Sequence, residues 1–425
     1  MRETTDPRFI EYGQDLDGLT VARQAPPAGT ASFSATYIGP GGWGFDPGSK
    51  SGVARVVSQL LTSGTERQSR ASLARALDRA GATLASDCAP ESAEVTIWGP
   101  SADWEKLLEI LAEVVVTPRF AVADLQRVRR QLLERQLREL SQPASRAEYE
   151  LFRAIYPEGH PYRSTGLGDR RSVVRLTPEH LRRFHRDRYT RNGSLLLVTV
   201  PAAFGTVESA VRRSFAELPD GRTPELRFPP VRSTRPRIVK VDLPGRSQVE
   251  LRIGGDSIAR SDPEYPAAFL ANEILGGRAQ LSRLFQRVRE RGGLVYHASS
   301  ELEAMRYGGY FEVGAGTGAD RWRKVADQLT NELARIGERS PTTAELRMVR
   351  ESSVGELPLS LESTADAHEI ALETAYHRLP GDYLLRWPAL LRAVRPRDVR
   401  RAAETAMDRD HAVTVLAGPL DTSVP

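Results

Sequence analysis

A proline-rich stretch in the middle of the chain divides the sequence into two halves of similar length. Its prolines are Pro219, Pro224, Pro229, Pro230 and Pro236. Because proline fixes φ and lacks a backbone N–H, a polar stretch this rich in proline continues neither a helix nor a central strand. The break predicts an N-terminal domain over residues 1–218, a linker over 219–237 and a C-terminal domain over 238–425.

The two halves show local patterns in a similar order, as a duplicated fold would. Each half opens with an apolar, strand-like segment, Ala31–Ile38 or Gln248–Ile253, followed by a loop rich in glycine, proline and aspartate. A helical pattern comes next, at Val53–Leu61 in the first half. Strands then come in adjacent pairs, such as Thr83–Cys88 with Ala93–Trp98. This pairing favours the α+β class over a doubly wound parallel sheet.

The cysteine count and the hydropathy pattern exclude several classes of protein. Cys88 is the single cysteine, so neither an internal disulfide nor a structural site built from several thiolates is expected. No run approaches the ~20 apolar residues of a membrane span, and the first residues contain no apolar stretch that could act as a signal peptide. We expect a cytoplasmic protein without a membrane partner.

The charge balance argues against nucleic-acid binding. The chain has 59 basic and 55 acidic residues, so the formal net charge is only +4. It also has no basic tail of the kind that binds nucleic acid. We therefore expect no nucleic-acid partner.

Two further candidate sites lack the spacing that their chemistry needs. In the loop Gly39–Gly52, Ser49 stands where a phosphate-binding loop has glycine before the lysine, and no G-x-G-x-x-G occurs. None of the seven histidines forms an i, i+4 pair with a neighbouring glutamate, the arrangement that places two zinc ligands on one helical face. Neither a nucleotide nor a metal is expected at these positions.

The segment Gly52–Thr65, GVARVVSQLLTSGT, has the frame of a zinc-binding helix without its ligands. It resembles the zinc helix of the insulinase/pitrilysin-type peptidases, the inverzincins, in which G-x-x-H-x-x-E-H precedes an apolar stretch and G-T. In that family the two histidines bind zinc and the glutamate is the base. The resemblance places these positions at Arg55, Ser58 and Gln59, all substituted here.

These substitutions remove zinc chemistry from the helix. Arginine is permanently cationic, serine is a poor general base, and a glutamine amide is a weak ligand. The family's third ligand, a glutamate on another helix, would fall at Arg135 or Gln136, with Glu134 adjacent if the spacing slips. Since one carboxylate does not hold zinc, we expect neither a metal nor another cofactor in this chain.

The resemblance covers essentially the whole chain in the family's order. The matching segments beyond the zinc helix are Leu73–Ser86, His160–Gly168, Phe184–Val198, Ile274–Phe285, Val288–Tyr296 and Gly308–Thr317. It implies two similar α+β domains, each a mainly antiparallel sheet covered by helices, which together form half of a clamshell.

Arg289 and Tyr296 match a pair with a known role in the family. There, an arginine and a tyrosine seven residues apart face the zinc site and hold the substrate main chain and the polarised carbonyl. A guanidinium and a phenol can both donate to carbonyl oxygens and stabilise a tetrahedral intermediate. The alternative interpretation makes Arg289 one more solvated side chain and Tyr296 a strand residue of the core.

Several members of the family are heterodimers in which one subunit has lost the zinc motif but supplies the arginine and the tyrosine. We expect this chain to be such a subunit, inactive alone, with a homologous partner that carries H-x-x-E-H and zinc. A peptide substrate would pair by strand addition with a predicted edge strand. That strand consists of Leu84, Ala85, Ser86, Asp87, Cys88 and Ala89.

Two other functions fit the sequence less well. A scaffold with a peptidase fold has no need of Arg289 and Tyr296. An autonomous hydrolase would need relocated metal ligands, and the histidine spacing supplies none.

Overall fold

The computed structural model describes residues 5–13, 16–222, 225–231 and 237–420. Its strands, in chain order, are β1 (Ile10–Tyr12), β2 (Leu19–Gln24), β3 (Ser32–Gly39), β4 (Thr83–Cys88), β5 (Ala93–Pro100), β6 (Ser194–Thr199), β7 (Arg237–Asp242), β8 (Gln248–Ser257), β9 (Val295–Ala304), β10 (Gly309–Gly318) and β11 (Val413–Gly418).

Its α-helices, in chain order, are α1 (Val53–Leu61), α2 (Arg70–Ala80), α3 (Trp104–Val116), α4 (Val122–Ser141), α5 (Pro143–Ile155), α6 (Arg170–Val174), α7 (Pro178–Arg188), α8 (Phe204–Ser214), α9 (Tyr265–Asn272), α10 (Trp322–Glu338), α11 (Thr343–Leu359), α12 (Thr364–Tyr376), α13 (Tyr383–Ala393) and α14 (Pro396–Ala406). None of the helices in the described part of the chain has the length and apolarity to cross a lipid bilayer.

The chain forms two compact units, each built from three segments. The first unit contains Met1–Arg135, Ser164–Arg227 and Leu357–Arg386, and the second contains Gln136–Arg163, Phe228–Glu356 and Trp387–Pro425. Of the expected linker at 219–237, residues 223–224 and 232–236 lie outside the described residues.

The first unit contains a six-stranded sheet in the order β1-β2-β6-β3-β5-β4. Among its described strands, only β2 and β6 pair in parallel. Side chains on β3 alternate between its two faces, as the period of a strand requires. Phe33, Ala35 and Tyr37 join the core beneath α1 and α3, whereas Ile38 packs in the cluster formed with α12. Both faces of this sheet are therefore covered by helices.

The second unit contains a five-stranded sheet in the order β7-β11-β8-β10-β9. In the part of this sheet that the structure describes, only β7 and β11 pair in parallel. Helix α10 packs on one face, over Leu251 and Val313. Helix α5 packs on the opposite face, where its Leu151 meets Val413 and Val415 of β11. The α+β class with two mainly antiparallel sheets is thus confirmed.

The units exchange one helix each relative to the order of the sequence. Helix α5 precedes the proline-rich stretch but packs on the sheet of the second unit, and α12 follows it but packs on the sheet of the first unit. At Gly254 on β8, a Cβ would lie 2.4 Å from the backbone oxygen of Phe311 on β10 and 3.1 Å from the Leu151 side chain of α5, so the neighbouring strand leaves no room for a side chain and α5 packs close to this position. Each helix covers an apolar sheet face that would otherwise be exposed to water.

A buried polar network lies between α12 and the first sheet. His368 is fully buried, with Nδ1 2.7 Å from the Thr199 hydroxyl and Nε2 2.8 Å from the Thr36 hydroxyl. The Thr199 hydroxyl donates to the side-chain oxygen of Gln24 at 2.8 Å. A hydroxyl has one hydrogen, so Nδ1–H donates to Thr199 and Nε2 accepts from Thr36. Burial lowers the pKa of His368 to about 3, and the ring is neutral at neutral pH.

We expect the stability advantage of the wild type over a His368→Gln variant to shrink as the pH falls below about 6.5. The unfolded chain protonates this histidine near its ordinary pKa of ~6.5, whereas the folded state keeps it neutral, so the folded state loses up to about 1.4 kcal/mol per pH unit. Urea unfolding of both proteins across this pH range measures the difference. Carboxyls whose pKa is raised by burial, such as Asp46 and Glu94, increase the stability of the folded state as the pH falls. They do so equally in both proteins, so they do not alter the difference between them. A pH-independent difference would contradict the prediction.

Candidate functional site

Helix α1 begins where a half-buried carboxylate caps its first turn. Asp46 accepts hydrogen bonds from the backbone N–H groups of Gly52 (2.5 Å) and Ala54 (2.9 Å). Burial raises the pKa of Asp46 to about 7. Gly52 has a φ of 92°, and a Cβ there would lie 3.0 Å from the side chain of Val173. Glycine tolerates both the positive φ and the lack of space for a side chain, so the glycine-rich loop fixes the start of α1.

An ion pair occupies the first zinc-ligand position. Arg55 is buried, with 8% of its surface exposed, and donates through Nη1 to Oδ1 of Asp87 on β4. Its guanidinium carbon also lies 5.1 Å from the ring centre of Trp43, a cation–π distance. Within the described residues its Nε has no hydrogen-bond partner. A permanent cation paired with a carboxylate fills the place where the family has a zinc-binding histidine.

The other two positions on α1 are also occupied by groups without metal chemistry. Ser58 is fully buried, and its Oγ lies 3.0 Å from Oγ of Ser86 on β4. Gln59 is half-buried on the same helix. Arg55 and Ser58 together tie α1 to β4 through two side-chain contacts.

The third-ligand region lies on α4. Leu125, Val128 and Leu132 form the face of this helix that packs in the core of the first unit. Gln136 is four residues beyond Leu132 and is also buried, at 7% exposure. Glu134 and Arg135 are exposed. Because residues four apart share a helical face, α4 turns Gln136 inward and its two predecessors outward.

Strand β4 lies at one edge of the first sheet and pairs only with β5 among the described strands. The backbone N–H of Ala89 donates to the Ser92 carbonyl at 2.8 Å, which closes the turn between the two strands. In an antiparallel ladder, residue pairs that exchange backbone hydrogen bonds alternate with pairs that exchange none. Because Ala89 bonds to Ser92, the non-bonded positions of β4 are Cys88, Ser86 and Leu84, and their backbone N–H and C=O groups point away from β5. An added strand would meet these groups.

Side-chain and turn contacts shorten the usable part of this edge. The backbone N–H of Cys88 donates to Oδ1 of Asp87 at 2.8 Å, the same oxygen that accepts from Arg55. Ala89 lies beyond the strand, and its carbonyl accepts from the backbone N–H of Trp43 at 3.1 Å. Of the six predicted edge residues, Leu84 and Ser86 therefore present the outward backbone groups that no described contact occupies.

Arg289 lies in the second unit on a π-helical segment, Phe285–Glu290. It is exposed, and its guanidinium carbon is 4.9 Å from the ring centre of Phe285. A buried carboxylate holds the surrounding segment, because Glu332 on α10 accepts from Arg287 at 2.7 Å. A charged side chain thus projects from an anchored segment.

Tyr296 lies on β9, one of the two edge strands of the second sheet. Its side chain is exposed, at 64% of its surface, so it is no core residue. Both members of the expected pair are therefore solvent-accessible donors within one unit, as contact with a ligand requires.

Two family models match adjacent parts of the chain. Residues 20–165 match the model described as insulinase (peptidase family M16), and residues 175–353 match the model described as peptidase M16 inactive domain. The chain belongs to the insulinase family. The family expected from the zinc-helix frame is thereby confirmed.

The relatives and solved structures that this chain resembles match most of its length. An uncharacterized zinc protease of Mycobacterium leprae is 28% identical over 82% of this chain and 78% of its own length. An uncharacterized zinc protease of Streptomyces coelicolor is 26% identical over 87% and 81%. A crystal structure of a peptidase M16 inactive domain from Pseudomonas fluorescens superposes with a TM-score of 0.90 at 25% identity, covering 96% of this chain and 98% of that one. A Helicobacter pylori protease shares the fold, with a TM-score of 0.86 at 19% identity, covering 96% and 99%.

The family's zinc does not fit the side chains that this insulinase-family chain places on α1. A metal ion binds to anionic or neutral ligand atoms, whereas Arg55 places a cation there that is already paired with Asp87. The Ser58 hydroxyl is hydrogen-bonded to the Ser86 hydroxyl. Elsewhere in the described residues, no group of three or more histidine, cysteine, aspartate or glutamate side chains is arranged to hold a metal ion. The chain is a non-catalytic member of the family.

Sequence reasoning missed the partners that shape this region. Asp87 was expected only as one residue of a peptide-binding edge, and Asp46 and Trp43 were not singled out. Asp46 had no local signal for this role, because the cap position of α1 is Gly52, six residues further along the chain. The pairing of Arg55 with Asp87, 32 residues apart, had none.

Proposed function

We propose that this chain is the non-catalytic, substrate-binding subunit of a heterodimeric zinc metallopeptidase that acts on peptides. The observation that carries the proposal is the replacement of the zinc site by the pair Arg55–Asp87 in a chain that keeps the family's fold. Hydrolysis then depends on a homologous partner that bears H-x-x-E-H and its zinc. The cytoplasmic location expected from the sequence belongs to the same proposal.

The edge strand β4 supplies the peptide-binding surface in this proposal. An extended peptide adds to a free edge through main-chain hydrogen bonds, which give affinity without requiring a particular sequence. The outward backbone groups of Leu84 and Ser86 offer two such positions. The contact between Asp87 and the Cys88 N–H ends the available edge on that side.

Arg289 and Tyr296 supply the chemistry of this subunit. A guanidinium and a phenol both donate hydrogen bonds, and donors aimed at a carbonyl oxygen stabilise the negative charge that develops on it during peptide hydrolysis. Their exposure supports a role in contact with a bound molecule. We assign both side chains to the active site of the partner subunit.

Co-expression with an H-x-x-E-H homologue from the same genome tests the pairing. We expect the two chains to co-purify and to cleave extended peptides, whereas this chain alone cleaves none. A partner that is fully active by itself and ignores this chain would overturn the proposal and favour the scaffold function.

Purified alone, this chain is expected to contain no stoichiometric zinc. The ligand and base positions carry Arg55, Ser58 and Gln59, and the third-ligand helix turns a glutamine inward at position 136. Elemental analysis by plasma mass spectrometry measures the zinc content of this chain and, as a positive control, of the H-x-x-E-H partner. One chelator-removable zinc per chain, with peptidase activity, would contradict the prediction.

A further inference from the structure

A small cleft in the first unit combines an apolar floor with a cationic rim. Its volume is about 300 Å³, at the lower end of the range for small-ligand sites. The apolar wall comes from Phe45, Pro47, Val53 and Phe184, on the loop before α1, on α1 itself and on α7. Val53 and Phe184 belong to the core of the first unit and Phe45 packs against it, so this part of the wall is fixed by the fold, whereas Pro47 is exposed.

Three cations surround this floor: Lys50, Arg183 and Arg188. Arg188 is half-buried with its guanidinium carbon 4.7 Å from the ring centre of Phe45, and desolvation lowers its pKa. Within the described residues, neither Lys50 nor Arg188 forms an ion pair with an acidic side chain. The acid in the lining, Asp187, lies 3.9 Å from Arg183. The cleft therefore has an excess of positive charge beside an apolar surface.

The segment that supplies α7 concentrates positive charge around this cleft. Residues 170–191 contain eight arginines and two acidic residues, a formal charge of +6, whereas the whole chain carries +4. A local excess of one sign raises the concentration of oppositely charged molecules near the surface. Anions are thus drawn to the part of the molecule that holds the cleft.

We propose that this cleft binds a small anion with an apolar or aromatic body, its carboxylate held by Arg188 and Lys50. The apolar body lies on Phe45 and Phe184, and Arg183 at the rim adds to the attraction. A guanidinium presents two parallel N–H donors that match a carboxylate, and Arg188 is already held in place by the ring of Phe45. Such a carboxylate comes from a free small molecule or from the last residue of a peptide. The site is independent of the proposed peptidase role.

Calorimetric titration of the full chain with N-acetyl-L-phenylalanine tests this assignment. The matched control ligand is N-acetyl-L-phenylalaninamide, which has the same body without the charge. We expect the carboxylate to bind, the amide to bind at least tenfold more weakly, and added salt to weaken the binding of the carboxylate. Equal affinities for the two ligands, or binding of neither, would overturn the proposal.

Variants of the rim residues give a second test. Loss of one charge-assisted hydrogen bond in Arg188→Gln or Lys50→Gln is expected to weaken binding by about 10- to 100-fold. Arg182→Gln is the matched control, because Arg182 is exposed on the same helix but does not line the cleft. The two rim variants lie on separate elements, so misfolding of one leaves the other informative. Equal affinity in the rim and control variants would also reject the site.

The same titration with 3-phenylpropionate distinguishes the two sources of the carboxylate. Affinity equal to that of the acetylated amino acid assigns the cleft to free small carboxylates. Tighter binding of N-acetyl-L-phenylalanine, which carries the amide of a chain end, assigns it to peptide C-termini.

Discussion

In the reconstituted heterodimer, Tyr296→Phe is expected to lower the turnover number by about 100- to 1,000-fold, the usual cost of removing one donor that stabilises an oxyanion. The substitution deletes a single hydroxyl from a side chain that is 64% exposed, so the fold of this subunit should not change. Arg289→Ala is expected to act in the same direction, because it removes a charge-assisted donor worth roughly 1.5 to 3 kcal/mol.

Matched controls separate this role from general surface effects. Tyr307→Phe removes a hydroxyl from another exposed tyrosine of the same unit, and Arg291→Ala removes a charge two residues beyond Arg289. Both controls should keep wild-type turnover. Zinc content of the partner and the extent of assembly are measured in parallel and should not change in any variant.

Equal turnover for the wild type, Tyr296→Phe and Arg289→Ala, with the partner at saturation, would show that this subunit supplies no chemistry. Its contribution would then be limited to assembly, as in the scaffold alternative. A loss of assembly in Tyr296→Phe would instead place the hydroxyl at the interface between subunits.

Replacement of Leu151 by alanine is expected to destabilise the second unit by about 2 to 5 kcal/mol, the range for large-to-small substitution at well-packed core sites. Leu151 is fully buried and packs with Val413 and Val415, and its side chain lies 3.1 Å from the position that a Cβ would take at Gly254 of β8. Removal of this side chain therefore leaves a cavity between the exchanged helix and the sheet.

Hydrogen exchange locates that effect within the molecule. Amides of β8 and β11 should lose protection in Leu151→Ala, whereas those of β3 and β6 in the first unit should keep theirs. Leu137→Ala on the preceding helix is the matched control, since Leu137 is 63% exposed and its truncation should change stability by no more than about 0.5 kcal/mol. Lost protection in β3 and β6 alone would contradict the observed packing of α5.

The sequence alone determined the features that depend on nearby residues. The predicted bounds of α1 and β4, Val53–Leu61 and Thr83–Cys88, agree with the structure because apolar periodicity and flanking glycines act over a few residues. The loss of the zinc motif was also evident, since ligand spacing on one helix is a local property. The α+β class followed from the order of these local patterns.

Tertiary structure decided which segments cover which sheet and which side chains meet. The sequence pattern predicted no element at residues 143–155 or 364–376, the two helices that the units exchange. It left Arg135 and Gln136 as alternatives, and the burial of α4 turned Gln136 inward. An amphipathic helix packs on a sheet face that is otherwise uncovered, and that face can be far away in the sequence. In the same way, a charged side chain such as Arg55 pairs with an acidic residue that only the folded chain brings beside it. These are long-range conditions that no local pattern of residues encodes.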